Sequence, residues 1–430
     1  MENGSISCGL EQVLGTPGFR TLQLGRSPTH VNIMRVRYRD MEDTATGLRK
    51  TGTPLIMLKN DLIGPAGAMD DVGSYYFIPE LSVRLGMPIR YVADVFYIGL
   101  LAGSLVIGTC GFFVLFQRWP ARTITVIAML MLAGVAYKAG DVYIFYVVSS
   151  VVAVPWVLVL VRRTRRDFWL PVFLVLMGLL IACSNWVRNY SGAGALLFIC
   201  SVLILYPGAT RYRKMFLLLC LFIGFAAPLP FFHRLVAQRD RVVRSYCPQY
   251  ATLWSGHPMW HAIYTGLGFL QNDFGLRWED AVTYDKVQSI APGTLFGSPR
   301  YEQILKQETL TLTKQHPLFI FLTLTSKGGV TLAVFLLAAN MGLIAAAYCR
   351  KPKAIEIAFW PAIVFNSAFG ILVYPFPQYM LGLIAFGVLY AITSLGFALE
   401  PQAVGAEESR ISQNGEKVIL TLLRRQPERQ

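Results

Sequence analysis

Apolar residues along this chain fall into long runs separated by short, charged connections. Nine of these runs reach or approach the roughly 20 residues with which an α-helix crosses a bilayer core. They lie at about 93–116, 121–139, 142–160, 168–186, 192–208, 215–233, 329–348, 355–373 and 379–398. The pattern predicts an all-α integral membrane protein with about nine transmembrane helices and one large loop containing short amphipathic helices.

Basic residues are unevenly divided between the connections. One alternate set holds twelve of them and the other set holds two. The first set consists of Arg118, Arg122, Arg162, Arg163, Arg165, Arg166, Arg211, Arg213, Lys214, Arg350, Lys351 and Lys353, and the second of Lys138 and Arg188. Because cytoplasmic connections are enriched in Lys and Arg, the first set is assigned to the cytoplasm. The large loop is then external.

This topology divides the chain into five regions. They are an N-terminal external segment with an acidic loop (1–92), a six-helix membrane region (93–233), the large external loop (234–327), a three-helix membrane region (328–398) and a cytoplasmic tail (399–430). The first region holds no segment able to span, because 53–69 carries Lys59, Asp61 and two prolines. Either this region crosses unaided or a first helix has been lost from it, and we expect the loss.

Composition agrees with a membrane protein. Charged residues make up 15 % of the chain, against about 25 % in soluble domains. The net charge of +14 lies largely in the short connections rather than on a soluble domain, which excludes nucleic acid as a partner. The seven cysteines form no framework, although Cys8 and Cys247 lie outside the apolar runs and could form one bridge.

The first candidate for chemistry is the adjacent acidic pair Asp70 and Asp71, in the segment 68–80 (AMDDVGSYYFIPE). Adjacent carboxylates repel each other, which raises the pKa of one of them unless a cation balances the pair. Such a pair suits a general base for an incoming hydroxyl, with Asp71 a candidate ligand for a divalent ion such as Mg²⁺ or Mn²⁺. The alternative is a solvated turn that caps the following helix.

Other candidates lie at the same predicted depth. Asp141, in an outer turn with Lys138, could converge on the acidic pair or simply pair with that lysine. Three basic residues could hold a lipid phosphate or anchor helix ends by extending to the interface. These are Arg188, Arg234 and Lys327.

The large loop contains an aromatic-rich stretch with two histidines. His257 and His261 are four residues apart and would share a helix face, as zinc ligands can. No third ligand is obvious, so structural or substrate-contacting histidines are favoured over zinc, with His257, Trp260 and His261 as the candidate substrate contacts. A packed loop that lies on the membrane is the alternative.

Two motifs and the topology resemble the GT-C superfamily of membrane glycosyltransferases, which includes protein O-mannosyltransferases and lipid A aminoarabinose transferases. The motifs are the acidic pair at Asp70 and the run from Tyr301 through His316 and Pro317 to Lys327. The resemblance covers most of 60–398. Three departures are the missing first helix, the lack of a second acidic motif in the long loop, and a histidine- and tryptophan-rich stretch that matches no subfamily.

The resemblance implies sugar transfer from a polyprenyl-phosphate donor at the non-cytoplasmic face. Asp70 would orient or deprotonate the acceptor, and Asp71 would bind a divalent ion or assist Asp70. Lys327, with Arg188 or Arg234, would hold the leaving phosphate. The expected partners are the lipid-linked donor and the bilayer, and the expected location is a bacterial inner membrane.

Two other functions compete with sugar transfer. An O-antigen polymerase or ligase-like enzyme also has many helices and a large external loop, but depends on basic residues. A multi-pass transporter would place polar or broken helices at mid-depth, often in repeated halves. The spans here are nearly free of charge at mid-depth and show no internal repeat.

Overall fold

The computed structural model describes residues 7–8, 30–67, 71–163, 169–205, 209–248, 258–348 and 352–400. Among these residues, eight helical segments are long and apolar enough to cross a membrane: Ile89–Leu115, Trp119–Ala139, Asp141–Arg162, Trp169–Val187, Arg211–Tyr246, Pro317–Tyr348, Lys353–Val373 and Leu381–Leu399. Another apolar helix, Ala193–Leu205, has 13 residues. The chain is therefore an all-α, multi-pass membrane protein, as its hydropathy pattern predicts.

A small sheet and two helices precede the bundle. In chain order they are β1 (Ser7–Cys8), α1 (His30–Thr51), β2 (Ile56–Lys59), β3 (Leu62–Pro65) and α2 (Val72–Leu85). Strands β2 and β3 form an antiparallel hairpin whose turn residues, Asn60 and Asp61, both have positive φ. That conformation suits the two-residue turn of a tight hairpin. The hydropathy pattern predicted no strands, because a segment of four residues is too short to show an alternation of apolar and polar positions.

Seven helices form the first part of the bundle. They are α3 (Ile89–Leu115), α4 (Trp119–Ala139), α5 (Phe145–Arg163), α6 (Trp169–Val187), α7 (Ala193–Leu205), α8 (Arg211–Ala226) and α9 (Leu229–Tyr246). A 3₁₀ turn, Asp141–Ile144, precedes α5. Helices α8 and α9 together extend 13 residues beyond the predicted span end at 233, because the helix continues after its apolar part ends.

The large loop and the last spans follow. They comprise α10 (Met259–Gly266), α11 (Asp280–Ile290), α12 (Pro299–Gln315), α13 (Pro317–Tyr348), α14 (Lys353–Ala368) with a π-turn at Phe369–Val373, and α15 (Leu381–Leu399). Helix α12 buries one face and ends just before His316 and Pro317, so it is one of the short amphipathic helices predicted for the loop. It buries Tyr301 and Leu305 against Tyr264 and Val287 of the neighbouring loop helices.

Glycines allow two spans to approach closely. A Cβ atom at Gly178 of α6 would overlap the backbone of Leu221, and one at Gly224 of α8 would overlap the backbone of Val175. Small residues of this kind are enriched where transmembrane helices pack backbone to backbone.

Exposed aromatic side chains mark the end of the bundle that carries the basic connections. They are Trp119, Trp169, Tyr212 and Tyr348. Such residues concentrate at membrane interfaces. The exposed Tyr137 lies 18 residues after Trp119 on α4, about 27 Å along a helix and close to the bilayer core thickness.

Candidate functional site

The site is built where Asp71, Asp141 and Arg188 meet, at the end of the bundle opposite the basic connections. Asp71 precedes α2, Asp141 lies in the turn between α4 and α5, and Arg188 follows α6. Asp70 and His257, two other predicted site residues, lie outside the described residues.

Both aspartates have the left-handed backbone conformation. Asp71 has φ of 58° and Asp141 has φ of 55°. Asp tolerates this region better than most residues, because its short polar side chain can bond locally. Non-glycine residues held there often mark functional turns. Asp71 stands at the N-terminus of α2, yet its side chain does not cap that helix. Its carboxylate instead bonds to arginines, so the capping alternative is not supported.

Arg37 of α1 joins the two aspartates. Its Nη1 donates to Asp71 Oδ2, and its Nε lies 2.8 Å from Asp141 Oδ2. Burial opposes the charged form of Arg37, but Asp141 and Asp71 hold the pKa of its guanidinium well above the usual value. Sequence reasoning missed Arg37, because the polar segment 1–50 shows no apolar run that would dock it on the bundle.

Arg188 contacts the other side of Asp71. Its Nη1 donates to Asp71 Oδ1 at 3.2 Å, and its guanidinium lies 4.7 Å from the centre of the Tyr143 ring. Arg188, Asp71 and Asp141 are each at most 7 % exposed. Two guanidinium groups thus balance two carboxylates, as burial of charge requires.

Asp141 retains capacity to accept hydrogen bonds. It is 4 % exposed, and apart from the ion pair with Arg37 no donor among the described residues hydrogen-bonds to its carboxylate. An ionised carboxylate offers about four lone-pair positions. A hydroxyl group brought to this point would therefore find an acceptor. The predicted convergence of Asp141 on Asp71 occurs through Arg37, whereas Lys138 is exposed.

The surroundings of Asp71 do not resemble a metal-ion site. Arginines lie against both of its oxygens. Within the described residues, no group of three His, Cys, Asp or Glu side chains is arranged to hold a metal. The donor set at Asp71 therefore fits guanidinium better than Mg²⁺ or Mn²⁺, and a divalent ion stays an untested prediction.

Lys327 is fully buried in α13. Its Nζ donates to the carbonyls of Gly266, Leu372 and Val373 at 3.1, 3.3 and 3.1 Å. These carbonyls lie at the ends of α10 and the π-turn, where a cation is favoured by unpaired carbonyls. Since an ammonium has three protons, all are donated to the backbone. The geometry therefore favours a structural role over the predicted phosphate contact.

The loop places the remaining predicted residues differently. His261 is 8 % exposed, with Nδ1 2.9 Å from the Tyr301 hydroxyl and Nε2 3.1 Å from Asp280. Both ring nitrogens are thus in use by protein groups, which does not fit a zinc ligand. The backbone N–H groups of Trp260 and His261 donate to Glu302, so this carboxylate caps α10.

Helix α9 carries four arginines, of which Arg234 was predicted as a site residue and Arg239 was not. Arg234 is exposed, whereas Arg239 is fully buried. Arg239 Nη1 donates to the carbonyls of Ala66 and Gly67 at 3.1 and 3.5 Å. This helix therefore holds the backbone on one side of the acidic loop, a role that no sequence motif indicated.

No protein-family profile, curated protein or solved structure matches this chain.

Proposed function

We propose that this protein is a membrane glycosyltransferase that moves a sugar from a polyprenyl-phosphate donor to a hydroxyl acceptor. The observation that carries the proposal is the meeting of Asp71 and Asp141 on Arg37. Two acids from separate connections converge at one end of a membrane bundle, and both contact the same guanidinium.

The charge distribution supports a site on the non-cytoplasmic side. Exposed Arg118, Arg211 and Lys353 lie at the opposite end of the spans. Cys247, at the end of α9, is in a disulfide bond. Disulfides persist in oxidising compartments such as the periplasm and are rare in the cytosol. An outward-facing site in a bacterial inner membrane fits both features.

In the proposed reaction, the acceptor hydroxyl donates its proton to Asp141 as its oxygen attacks the anomeric carbon. The bond between that carbon and the phosphate oxygen breaks, and polyprenyl phosphate leaves with the electron pair. Arg188 stabilises the charge that develops on the leaving phosphate. Asp71 acts as a positioning residue, because it contacts both arginines and fixes their direction.

Binding of the carrier lipid tests the phosphate-contact assignment. Full-length protein in nanodiscs should bind farnesyl phosphate, a short carrier that carries no sugar. Arg188→Gln should weaken this binding at least tenfold. The control variant, Lys138→Gln, removes an exposed basic residue at the same end of the bundle and should leave the binding unchanged. Equal binding by the Arg188→Gln variant and the unmodified protein would remove Arg188 from the proposal.

Turnover tests the assignment of the base. With a panel of polyprenyl-phosphate sugars, Asp141→Asn should reduce transfer by about 10²- to 10⁴-fold, as loss of a general base does. Farnesyl phosphate binding should persist. Asp61→Asn is a matched control, because Asp61 also has positive φ but lies in the exposed hairpin turn. Full activity in Asp141→Asn would instead favour the arginine-dependent polymerase or ligase chemistry.

A further inference from the structure

Aromatic rings line the contact between the large loop and the acid–arginine cluster. Tyr143 lies 5.7 Å from Tyr379, Tyr379 lies 5.9 Å from Trp278, and Trp278 lies 4.5 Å from Tyr374, all between ring centres. Phe376 stacks on Tyr374 at 4.5 Å. We refer to these five residues as the aromatic strip. The guanidinium of Arg188 lies over the ring of Tyr143, the first residue of the strip.

The aromatic strip begins at the edge of the main core, against which Tyr143 packs, and continues outside it. Its other members are half-buried, except Phe376, which is exposed. The core of the loop is built from other side chains, such as Tyr264, Tyr301 and Leu305. Its rings come from three separate connections: the turn before α5, the segment before α11 and the segment between α14 and α15. Trp278 and Tyr374 cover part of each other but stay half-buried, so part of each ring is open to a ligand.

A fixed carboxylate stands beside the strip. Asp280, the first residue of α11, follows Trp278 by two positions, and its side chain is 49 % exposed. Its charge contributes, after burial and Tyr143, to raising the pKa of Tyr379. Asp280 therefore lies within electrostatic reach of the ring that joins the loop to Tyr143.

The direction of Asp280 is set by two buried groups. Burial raises the pKa of Tyr301, so its hydroxyl keeps its proton and can donate to His261 Nδ1. His261 then carries its proton on Nε2 and donates it to Asp280 Oδ1. No protein donor among the described residues hydrogen-bonds to Asp280 Oδ2. One oxygen is thus anchored while the other is open to a ligand.

We propose that the aromatic strip and Asp280 form a subsite for an uncharged pyranose. The apolar face of the sugar ring would pack on Trp278 and Tyr374, and a sugar hydroxyl would donate to Asp280 Oδ2. A carboxylate at this position disfavours sugars that carry their own negative charge, such as uronic acids. This deepens the proposed function and rests on it, because the subsite would deliver a neutral sugar to the Asp141–Arg188 cluster.

Sugar binding by the full-length protein in nanodiscs tests the subsite. Saturation-transfer NMR with methyl glucoside, methyl galactoside and methyl mannoside should show ring-proton transfer for at least one of them. Methyl glucuronide should show none. Asp280→Asn and Trp278→Leu should each reduce the signal at least fivefold. Asp285→Asn is the matched control, because it removes the same charge from an exposed position of α11 and should change nothing.

The outcomes separate the subsite from the wider function. Absence of transfer to all three methyl hexosides, or a signal that survives both subsite variants, overturns the subsite. Farnesyl phosphate binding depends on Arg188 and should be unaffected by Asp280→Asn. Loss of sugar binding alone therefore refutes only the subsite, whereas loss of carrier binding and turnover with hexoside binding intact refutes only the proposed transfer reaction.

Discussion

The buried ammonium group of Lys327 joins the end of α10 to the π-turn that follows α14. Replacing Lys327 with Met would keep most of its length but leave the carbonyls of Gly266, Leu372 and Val373 without their donor. We expect Lys327→Met to lower the free energy of unfolding by about 3 kcal/mol, as loss of a buried polar partner does. Thermal unfolding in detergent measures this change.

The same variant distinguishes a structural lysine from a phosphate ligand. At a temperature where Lys327→Met is folded, farnesyl phosphate should bind as it does to the unmodified protein. Lys314→Met, an exposed lysine on α12, is the control and should unfold normally. A large loss of carrier affinity with normal stability would restore the phosphate contact predicted from the sequence.

Asp40 on α1 should make stability depend on pH. Burial, despite the nearby Lys59, raises the pKa of its carboxyl from 3.8 to about 6. The folded state therefore holds the proton of Asp40 more tightly than the unfolded state does. The stability that this protonated carboxyl contributes is lost as pH rises from about 4 through 6. Asp40→Asn should exceed the unmodified protein in stability by on the order of 2 kcal/mol at pH 7.

A pH series of melting temperatures checks this expectation. The difference between Asp40→Asn and the unmodified protein should grow from pH 4 to 6 and level off above 6. The same series for Asp61→Asn, an exposed acid, should show no such growth. A constant difference across the series would show that Asp40 titrates normally in the folded protein.

The sequence indicates some site residues and conceals others for physical reasons. Asp141 and Arg188 stand at the ends of apolar runs, so their shared depth follows from helix length, whereas Asp71 was indicated only by the adjacent acidic pair. Arg37 lies in a polar segment whose position depends on tertiary contacts. Asp280 likewise depends on the folding of the loop, because its neighbour His261 lies 19 residues away along the chain.

At the scale of helices, the contact between α6 and α8 depends on Gly224. Gly224→Ala would place a methyl group against the Val175 backbone and force the helices apart. We expect a loss of about 1–3 kcal/mol, typical of overpacking. Thermal unfolding should show it, while Gly134→Ala, on α4 where a Cβ meets open space, should have little effect. Equal melting temperatures for both variants would contradict this packing.

Helix ends explain where sequence-based boundaries fail. Hydropathy begins the seventh predicted span at 329, yet α13 starts at Pro317. Hydropathy reports where the chain meets lipid, whereas backbone hydrogen bonds continue into the polar region. Helix α13 has 32 residues and begins 12 residues before the predicted span. It is therefore longer than the roughly 20 residues that one bilayer core requires.

At the scale of the whole molecule, the orientation in the membrane can be measured. In intact cells, a membrane-impermeant thiol reagent should label Lys138→Cys, at the exposed outer turn. Tyr212→Cys, 88 % exposed at the opposite end, should react only after the cells are permeabilised. Because the two positions lie at opposite ends of the spans, the reversed pattern would invert the topology and place the site in the cytoplasm.

The end of α15 is tied to the turn between α3 and α4, where Glu400 accepts hydrogen bonds from the backbone of Gln117 and Arg118. During synthesis, those early spans enter the bilayer long before α15 is made. Helix α5 packs against the neighbouring early helices and likewise gains its contact with α15 only when the last span is made. The contact between the end of α15 and the turn that joins α3 to α4 is therefore formed only after every other span has been synthesised.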